Sequence, residues 1–334
     1  MADRESSFGD QRVNGARLSG NVKGALLMIV SGVGFTIYLL MNKLLSGDVH
    51  PVFLAFWRAF FGMAMAIPFV LRRGIGIMRT RRPGMLLVRS LFGTFGFTLA
   101  IIAVSQEFTL PWAPETVIRA ELTLAQFNAI SFTRPLFVTI LAALVLREIV
   151  GVQRWLAVAV GFVGVLVMVM PGALLFWQAG AFDGLGFNLG SGMALASAFS
   201  LAAAIVMVKF LSGELAPIAL LLYANALSCL LLGPFLLVFW TEVSLSDWGW
   251  IIFMSAMAFI SQFCFISAMK VGDASFLSPI DYVRLPMSAV ADFAVFRLVP
   301  TINVWLGAII IVASTLFISL RERRRALMRS RDPH

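Results

Sequence analysis

Long apolar runs separated by short polar segments make up almost the whole chain. About 20 apolar residues are enough for a helix to cross a bilayer. Ten runs of roughly this length occur, at 25–45, 51–71, 85–106, 123–147, 151–171, 190–211, 217–240, 249–269, 275–297 and 301–320. They are too long for the strands of a membrane barrel, and lipid requires a span to satisfy its own backbone hydrogen bonds. The pattern therefore predicts an all-α polytopic membrane protein with ten transmembrane helices.

The composition supports a membrane protein and excludes the soluble classes. Of the 334 residues, 60% are hydrophobic and 13% are charged, whereas a soluble domain has about 45–50% apolar and about 25% charged residues. The net charge of +9 would indicate a nucleic-acid partner in a soluble chain. Here it reflects basic residues at the cytoplasmic ends of spans, so we expect the lipid bilayer, and no nucleic acid, as a partner.

Lysine and arginine residues concentrate on one side of the predicted spans. They occur in the N-terminal tail 1–24, in the loop 72–84 and in the basic tail 321–334. The loops of the other side hold few basic residues, chiefly Arg119 and Arg297. Because basic loops stay in the cytoplasm, this distribution predicts that both termini are cytoplasmic.

The two halves of the chain repeat each other. The sequence KLLSG at Lys43 returns as KFLSG at Lys209, 166 residues later, and Arg134 and Arg284 are 150 residues apart. Each half has five spans, an odd number, so the second copy is inverted in the membrane. Inverted repeats are common in secondary transporters. The predicted segments are the first repeat 25–171, an extracytoplasmic connecting loop 172–189 and the second repeat 190–320.

An insertion distinguishes the first repeat from the second. The change of offset from 166 to 150 places 16 extra residues in the first repeat, most simply at 107–122 on the extracytoplasmic side. This segment contains two prolines, Trp112 and three glutamates. It is either a surface loop on the headgroups or a lid over the outer mouth.

Two arginines lie deep in apolar spans. Arg134 is about 12 residues from either end of its span, or roughly 18 Å along a helix, and Arg284 lies in a similar apolar stretch. A charge at the bilayer centre costs about 2.5–3.5 kcal/mol even on lenient scales, so it faces a partner, a cavity or a ligand. Guanidinium groups favour a substrate with a carboxylate or another anionic group. Arg58 either also lies deep in its span, facing a partner, a cavity or a ligand, or extends its side chain to the outer interface.

Span 9 carries a polar stripe. Asp281, Arg284, Ser288 and Asp292 fall within an arc of about 80° on an ideal helix. Ionisable residues in a span often mark substrate or proton pathways, so Asp281 and Asp292 are candidates for proton coupling. The alternative is a structural ion pair of Asp281 with Arg284 or Arg134, and Ser288 is either polar lining or a small packing residue.

Further polar and aromatic residues are candidate substrate contacts, each with helix packing as the alternative interpretation. With the arginine pair and Asp281, the candidates are Asn128, Ser131, Tyr282, Gln262, Tyr38 and Trp57. The sequence contains no nucleotide-binding loop, zinc-protease motif or nucleophile elbow. We therefore expect no enzyme activity, no cofactor and no metal site.

The segment around Arg134 also carries a family pattern. Its residues are Leu124, Ala125, Ala129–Phe137 (AISFTRPLF), Leu146–Glu148 (LRE), Gly161–Val165 (GFVGV), Pro171–Gly172 and, in the second half, Ala274–Ser275, Pro279 and Tyr282. The pattern resembles the EamA-type transporters of the drug/metabolite transporter superfamily. The resemblance implies a bacterial inner-membrane carrier of small metabolites whose spans 3, 4, 8 and 9 surround a central cavity. The chain departs from the family at the 107–122 insertion and at Leu298, where the family usually has a glutamate.

These observations lead to one functional expectation and two alternatives. We expect a secondary active transporter for a small polar metabolite, anionic or zwitterionic, working by alternating access. The resemblance implies an exporter of amino acids or related compounds more often than an importer of riboflavin or S-adenosylmethionine. The alternative of another class is a lipid-handling or assembly factor that transports nothing. Proton coupling and a homodimer are both left open.

Overall fold

The structure is a computed structural model. It describes the backbone of residues 2–329 except 111, 120–121, 146–151, 170–188, 212–214, 272–276, 278–279 and 282. Most of the predicted loop 172–189 and the candidate Tyr282 therefore lie outside the described residues. The helices are α1 Ala2–Leu45, α2 Pro51–Arg73, α3 Pro83–Val104, α4 Leu124–Ser131, α5 Arg134–Val145, α6 Val152–Val169, α7 Leu189–Leu211, α8 Pro217–Leu236, α9 Leu245–Val271, α10 Arg284–Ala291 and α11 Ile302–Arg329, with a 3-10 helix at Ile75–Met78 and a π-helix at Asp292–Phe296.

The described helices make the chain a multi-pass membrane protein. Six of them are long and apolar enough to cross a bilayer. They contain Val22–Leu45, Pro51–Arg73, Pro83–Val104, Leu189–Met207, Pro217–Leu236 and Leu245–Ala268. Of the other four predicted spans, 151–171 and 301–320 contain shorter apolar stretches, at Val158–Val167 and Ile302–Ser314, and 123–147 and 275–297 are interrupted. The count of ten therefore stays a prediction.

The predicted spans 123–147 and 275–297 are not continuous helices. The first is divided between α4, which ends at Ser131, and α5, which begins at Arg134. Pro135 explains the break, because it has no N–H for the carbonyl of Ser131 and its ring would clash with that carbonyl. In the second span a turn at Val283 precedes α10, which begins at Arg284. Pro286 in α10 likewise lacks the N–H that would bond to the carbonyl four residues earlier. Each of these two predicted spans is therefore interrupted next to its arginine.

The 107–122 segment contains strands, which makes it an exception to the all-α prediction. Strand β1 (Glu107–Leu110) pairs antiparallel with β2 (Ala113–Arg119), and Glu107 lies opposite Arg119. This hairpin joins the end of α3 to the start of α4. We call this end of the bundle, which includes residues 46–50 and 237–241, the hairpin end. The hairpin contacts it through Phe108, whose ring lies edge-on to the ring of His50, with the two ring centroids 5.5 Å apart.

The helices pack in pairs between the two halves of the chain. The most extensive contacts join α1 to α9, α3 to α7, α2 to α8 and α6 to α11. The α6–α11 pair is close because both helices have glycine at the crossing. A side chain at Gly164 would come within 2.9 Å of the carbonyl oxygen of Gly307. The main hydrophobic core lies among α1, α2, α3 and α4.

Candidate substrate site

The two arginines predicted from the sequence belong to one charged cluster. Each is the first residue of a helix that follows a break, Arg134 in α5 and Arg284 in α10. Arg134 is repelled by Arg284 and attracted by Asp281, so these three charges interact with one another. The helix breaks therefore bring the arginines of both halves to one place.

Arg284 is held by several partners. Its Nε lies 2.8 Å from Oδ1 of Asp281, and its Nη2 donates to Oγ of Ser31 at 2.9 Å. The guanidinium carbon also lies 4.8 Å from the ring centroid of Phe35 and 5.5 Å from that of Phe265. The structural ion pair that the sequence left as an alternative is thus present, and α1 and α9 fix the orientation of Arg284.

Arg134 differs from Arg284 in its surroundings. Among the residues that the structure describes, Nε of neither arginine forms a hydrogen bond, but Nε of Arg284 is ion-paired with Asp281, whereas Arg134 has no ion pair. A buried polar atom that forms no hydrogen bond costs about 1–3 kcal/mol. Arg134 is therefore the arginine of the pair that has bonding capacity left for a ligand.

A third arginine, Arg58 of α2, is also buried, next to aromatic residues of α1 and α3. It is only 6% exposed, which excludes the interfacial position that the sequence left open. Its guanidinium carbon lies 4.1 Å from the ring centroid of Phe97 and 5.6 Å from that of Tyr38. Sequence reasoning left Arg58 out of the candidate site because it lies only seven residues from Pro51 at the helix start. Its aromatic neighbours lie on other helices, so the sequence around Arg58 does not indicate that the residue is buried.

Several candidate residues have buried polar atoms without a partner in the described part of the chain. Besides Arg134 Nε, they are the hydroxyl of Tyr38, Nε1 of Trp57 and Nε2 of Gln262. In folded proteins about 90% or more of buried polar groups are hydrogen-bonded. These four candidates therefore have hydrogen-bonding capacity for a polar molecule.

The two candidates on α4 have different surroundings. Asn128 is 1% exposed and donates through Nδ2 to the carbonyl of Leu124 at 3.1 Å, within its own helix. That bond matches the helix-packing interpretation. Ser131 is buried at the end of α4, directly before the break.

Asp292 lies apart from the arginine cluster. Its Oδ1 accepts from the backbone N–H of Leu124 at 3.0 Å, and its Oδ2 accepts from that of Ala125 at 2.8 Å. The single arc predicted for span 9 assumed an ideal α-helix, whereas Asp292 begins a π-helix. Ser288 donates to carbonyls of its own helix, at Arg284 and Leu285. The predicted stripe thus consists of two separate polar sites.

A cavity of about 390 Å³ opens at the hairpin end. It lies between the hairpin and the turns at 46–50 and 238–241. His50 lines it, with a ring stacked on Phe239 at 4.3 Å and an Nδ1 that accepts from Val52 N at the start of α2. Burial lowers the pKa of His50 to about 4, against a smaller opposing effect of a hydrogen bond to the backbone of Thr109. The hairpin therefore forms one wall of this cavity.

A comparison with protein families decides the class of this chain. Residues 22–107 and 188–320 match the model of the EamA-like transporter family. The chain belongs to the EamA-like transporter family. The resemblance predicted from the sequence is confirmed, and the family is one of membrane transporters rather than enzymes.

Known relatives cover nearly the whole transporter. It is 31% identical to the riboflavin transporter of Vibrio cholerae serotype O1, over 91% of this chain and 95% of that protein. It is 28% identical to the S-adenosylmethionine uptake transporter of Rickettsia prowazekii, over 91% of this chain and 94% of that protein. A solved crystal structure with 20% identity matches 88% of this chain and 98% of its own with a TM-score of 0.56, which shows the fold.

Proposed function

We propose that this transporter is a secondary carrier that moves a small polar metabolite, anionic or zwitterionic, across the bacterial inner membrane by alternating access. The observation that supports this most is the cluster of Arg134, Arg284 and Asp281 at two helix breaks. In transporters with broken helices, the N-terminal ends of half-helices point at anionic substrate groups. Both arginines occupy such ends, and Arg134 has bonding capacity left.

Packing between the halves supports ten spans in two inverted repeats. If α1 corresponds to α7 and α3 to α9, the pairs α1–α9 and α7–α3 are equivalent, and both are observed. A serine bonds across each pair. Ser261 donates to the carbonyl of Ser31 at 2.8 Å, and Ser197 donates to that of Gly96 at 2.7 Å. Ser31 and Ser197 are 166 residues apart, the offset found in the sequence.

The named relatives favour uptake over the export that we expected from the sequence. One is called a riboflavin transporter and another an S-adenosylmethionine uptake transporter. We therefore propose import of a nucleoside-type or vitamin-type metabolite as the first direction to test. In such a substrate an anionic or hydrogen-bonding group would meet Arg134, and a ring would lie against Tyr38 and Trp57.

A transport assay in proteoliposomes tests this function. Riboflavin, S-adenosylmethionine and a panel of amino acids are offered to the wild-type protein and to Arg134→Lys, which keeps the charge but loses the planar fork. We expect saturable uptake of one class of compound, strongly reduced in Arg134→Lys. Absence of flux for the whole panel in both directions would support a lipid-handling or assembly factor instead. Light scattering of the same sample distinguishes a monomer from a homodimer.

A further inference from the structure

Two buried charges from different helices hold the start of α4. Lys43 of α1 is 6% exposed, and its Nζ donates to the carbonyl of Leu122 at 2.9 Å. Asp292, which is fully buried, accepts from the backbone N–H groups of Leu124 and Ala125. The two charges attract each other. Residues 122–125 are thus fixed by α1 on one side and by the helix that follows Arg284 on the other.

Lys43 also belongs to the network that closes the hairpin end. Its carbonyl accepts from Oγ of Ser46 at 2.9 Å and from Nε2 of Gln106 at 3.1 Å. The backbone N–H of Gln106 in turn donates to Oγ of Ser46 at 3.0 Å. Gln106 directly precedes strand β1. One lysine therefore connects the end of α1, the end of α3, the hairpin and the start of α4.

These bonds have no direct part in the arginine cluster. Asp292 is eight residues beyond Arg284, which is about 12 Å along a helix. Hydrogen bonds that involve a charged group are roughly twice as strong as neutral ones. Because the partners of both charges are backbone groups of residues 122–125, any separation of α1 or the π-helix from the start of α4 breaks these bonds. They are bonds that close one end of the bundle.

We propose that Lys43 and Asp292 form a gate at the hairpin end of the pathway. This inference rests on the proposed transport function. In the observed state the bonds of Lys43 and Asp292 to residues 122–125 hold α1, the π-helix and the start of α4 together. Alternating access requires that these bonds break when this end of the pathway opens.

Thiol labelling in detergent tests the gate without any substrate. The full-length protein, with Cys229 and Cys264 replaced by alanine, carries one reporter cysteine. Ser105→Cys reports on the hairpin end and Ala219→Cys on the opposite end, and both positions are at most 1% exposed. In the Lys43→Met variant, Ser105→Cys should react about tenfold faster, the change expected for losing one charge-assisted hydrogen bond. The reaction rate of Ala219→Cys should stay the same.

Matched variants control for general loosening. Lys43→Arg keeps a charged donor and should restore slow labelling, and Lys23→Met removes an exposed lysine of the same helix and should change nothing. If Lys43→Met does not fold, Asp292→Asn takes its place with the same expectation. Unchanged labelling of Ser105→Cys in the folded variants, or equal acceleration of both reporters by Lys43→Met, overturns the gate.

The outcome for the gate is separate from the outcome for transport. Wild-type flux in proteoliposomes, with labelling that does not respond to Lys43 or Asp292, would refute the gate and leave the transport function standing. Faster labelling of Ser105→Cys alone, with no flux for any compound, would support a gated hairpin end and refute the transport function assigned to it.

Discussion

Replacing the two central arginines one at a time should affect stability very differently. Arg284→Ala removes an ion pair at 2.8 Å, a hydrogen bond to Ser31 and two ring contacts. It leaves Asp281 without this partner. Arg134→Ala removes a charge whose Nε has no partner among the described residues, and it also removes the repulsion from Arg284.

The expected magnitudes follow from these contacts. Breaking one side of a buried ion pair costs about 3–5 kcal/mol. Because the side chain of Asp281 is 22% exposed, we expect the lower end for Arg284→Ala, about 3 kcal/mol or about 6 °C in melting temperature. For Arg134→Ala we expect a stability within about 1 kcal/mol of wild type, since the desolvation cost of the charge disappears with it. Both variants should lose more than tenfold in substrate affinity.

The assay combines thermal unfolding in detergent with flux in proteoliposomes, at equal amounts of folded protein. Arg284→Ala combined with Asp281→Ala should regain part of the lost stability, because the unpaired carboxylate is removed as well. An Arg134→Ala protein that transports normally would refute the substrate role of this residue. An Arg134→Ala protein as unstable as Arg284→Ala would show that Arg134 is a structural residue.

Three further predictions concern pH, coupling and topology. Burial keeps His50 neutral with a pKa of about 4, below its ordinary value of about 6.5, so the stability of the hairpin end should be complete above about pH 6.5 and fall towards pH 4. His50→Asn, which keeps a helix cap, should remove this pH dependence of the melting temperature. If transport is proton-coupled through Asp281, Asp281→Asn should abolish gradient-driven uptake, whereas loss in Asp292→Asn alone would assign the coupling to Asp292. Trp112→Cys should react with an impermeant thiol reagent only from outside, and reaction only from the cytoplasm would reverse the topology.

The sequence predicted the class of the protein and its central arginines, because both depend on strong local signals. Apolar runs identify spans whatever their packing, and a charge inside such a run is conspicuous. The constant offset of 150 residues paired Arg134 with Arg284 before any contact was known. Both lie in one cluster in the structure, although their role in binding stays a prediction.

The details that the sequence did not predict depend on backbone geometry. An ideal helix placed Asp292 on the same face as Asp281, but the break before Arg284 and the π-helix at Asp292 change that relation. The hairpin was not recognised, because its prolines and glutamates favoured a loop. The burial of Arg58 depends on Phe97 of another helix, which no local pattern can show.

The repulsion between Arg134 and Arg284 has a practical consequence for finding the substrate. An anion bound between two like charges relieves their repulsion in the folded state, so it stabilises the protein beyond its own contacts. A ligand at 100 times its Kd adds about 2.7 kcal/mol to the free energy of unfolding. A thermal-shift screen of purified protein with matched pairs of compounds, each a carboxylate and its neutral amide, would therefore rank substrate candidates before any flux is measured. The compound whose carboxylate raises the melting temperature, and whose neutral amide does not, would be the first to test in the flux assay.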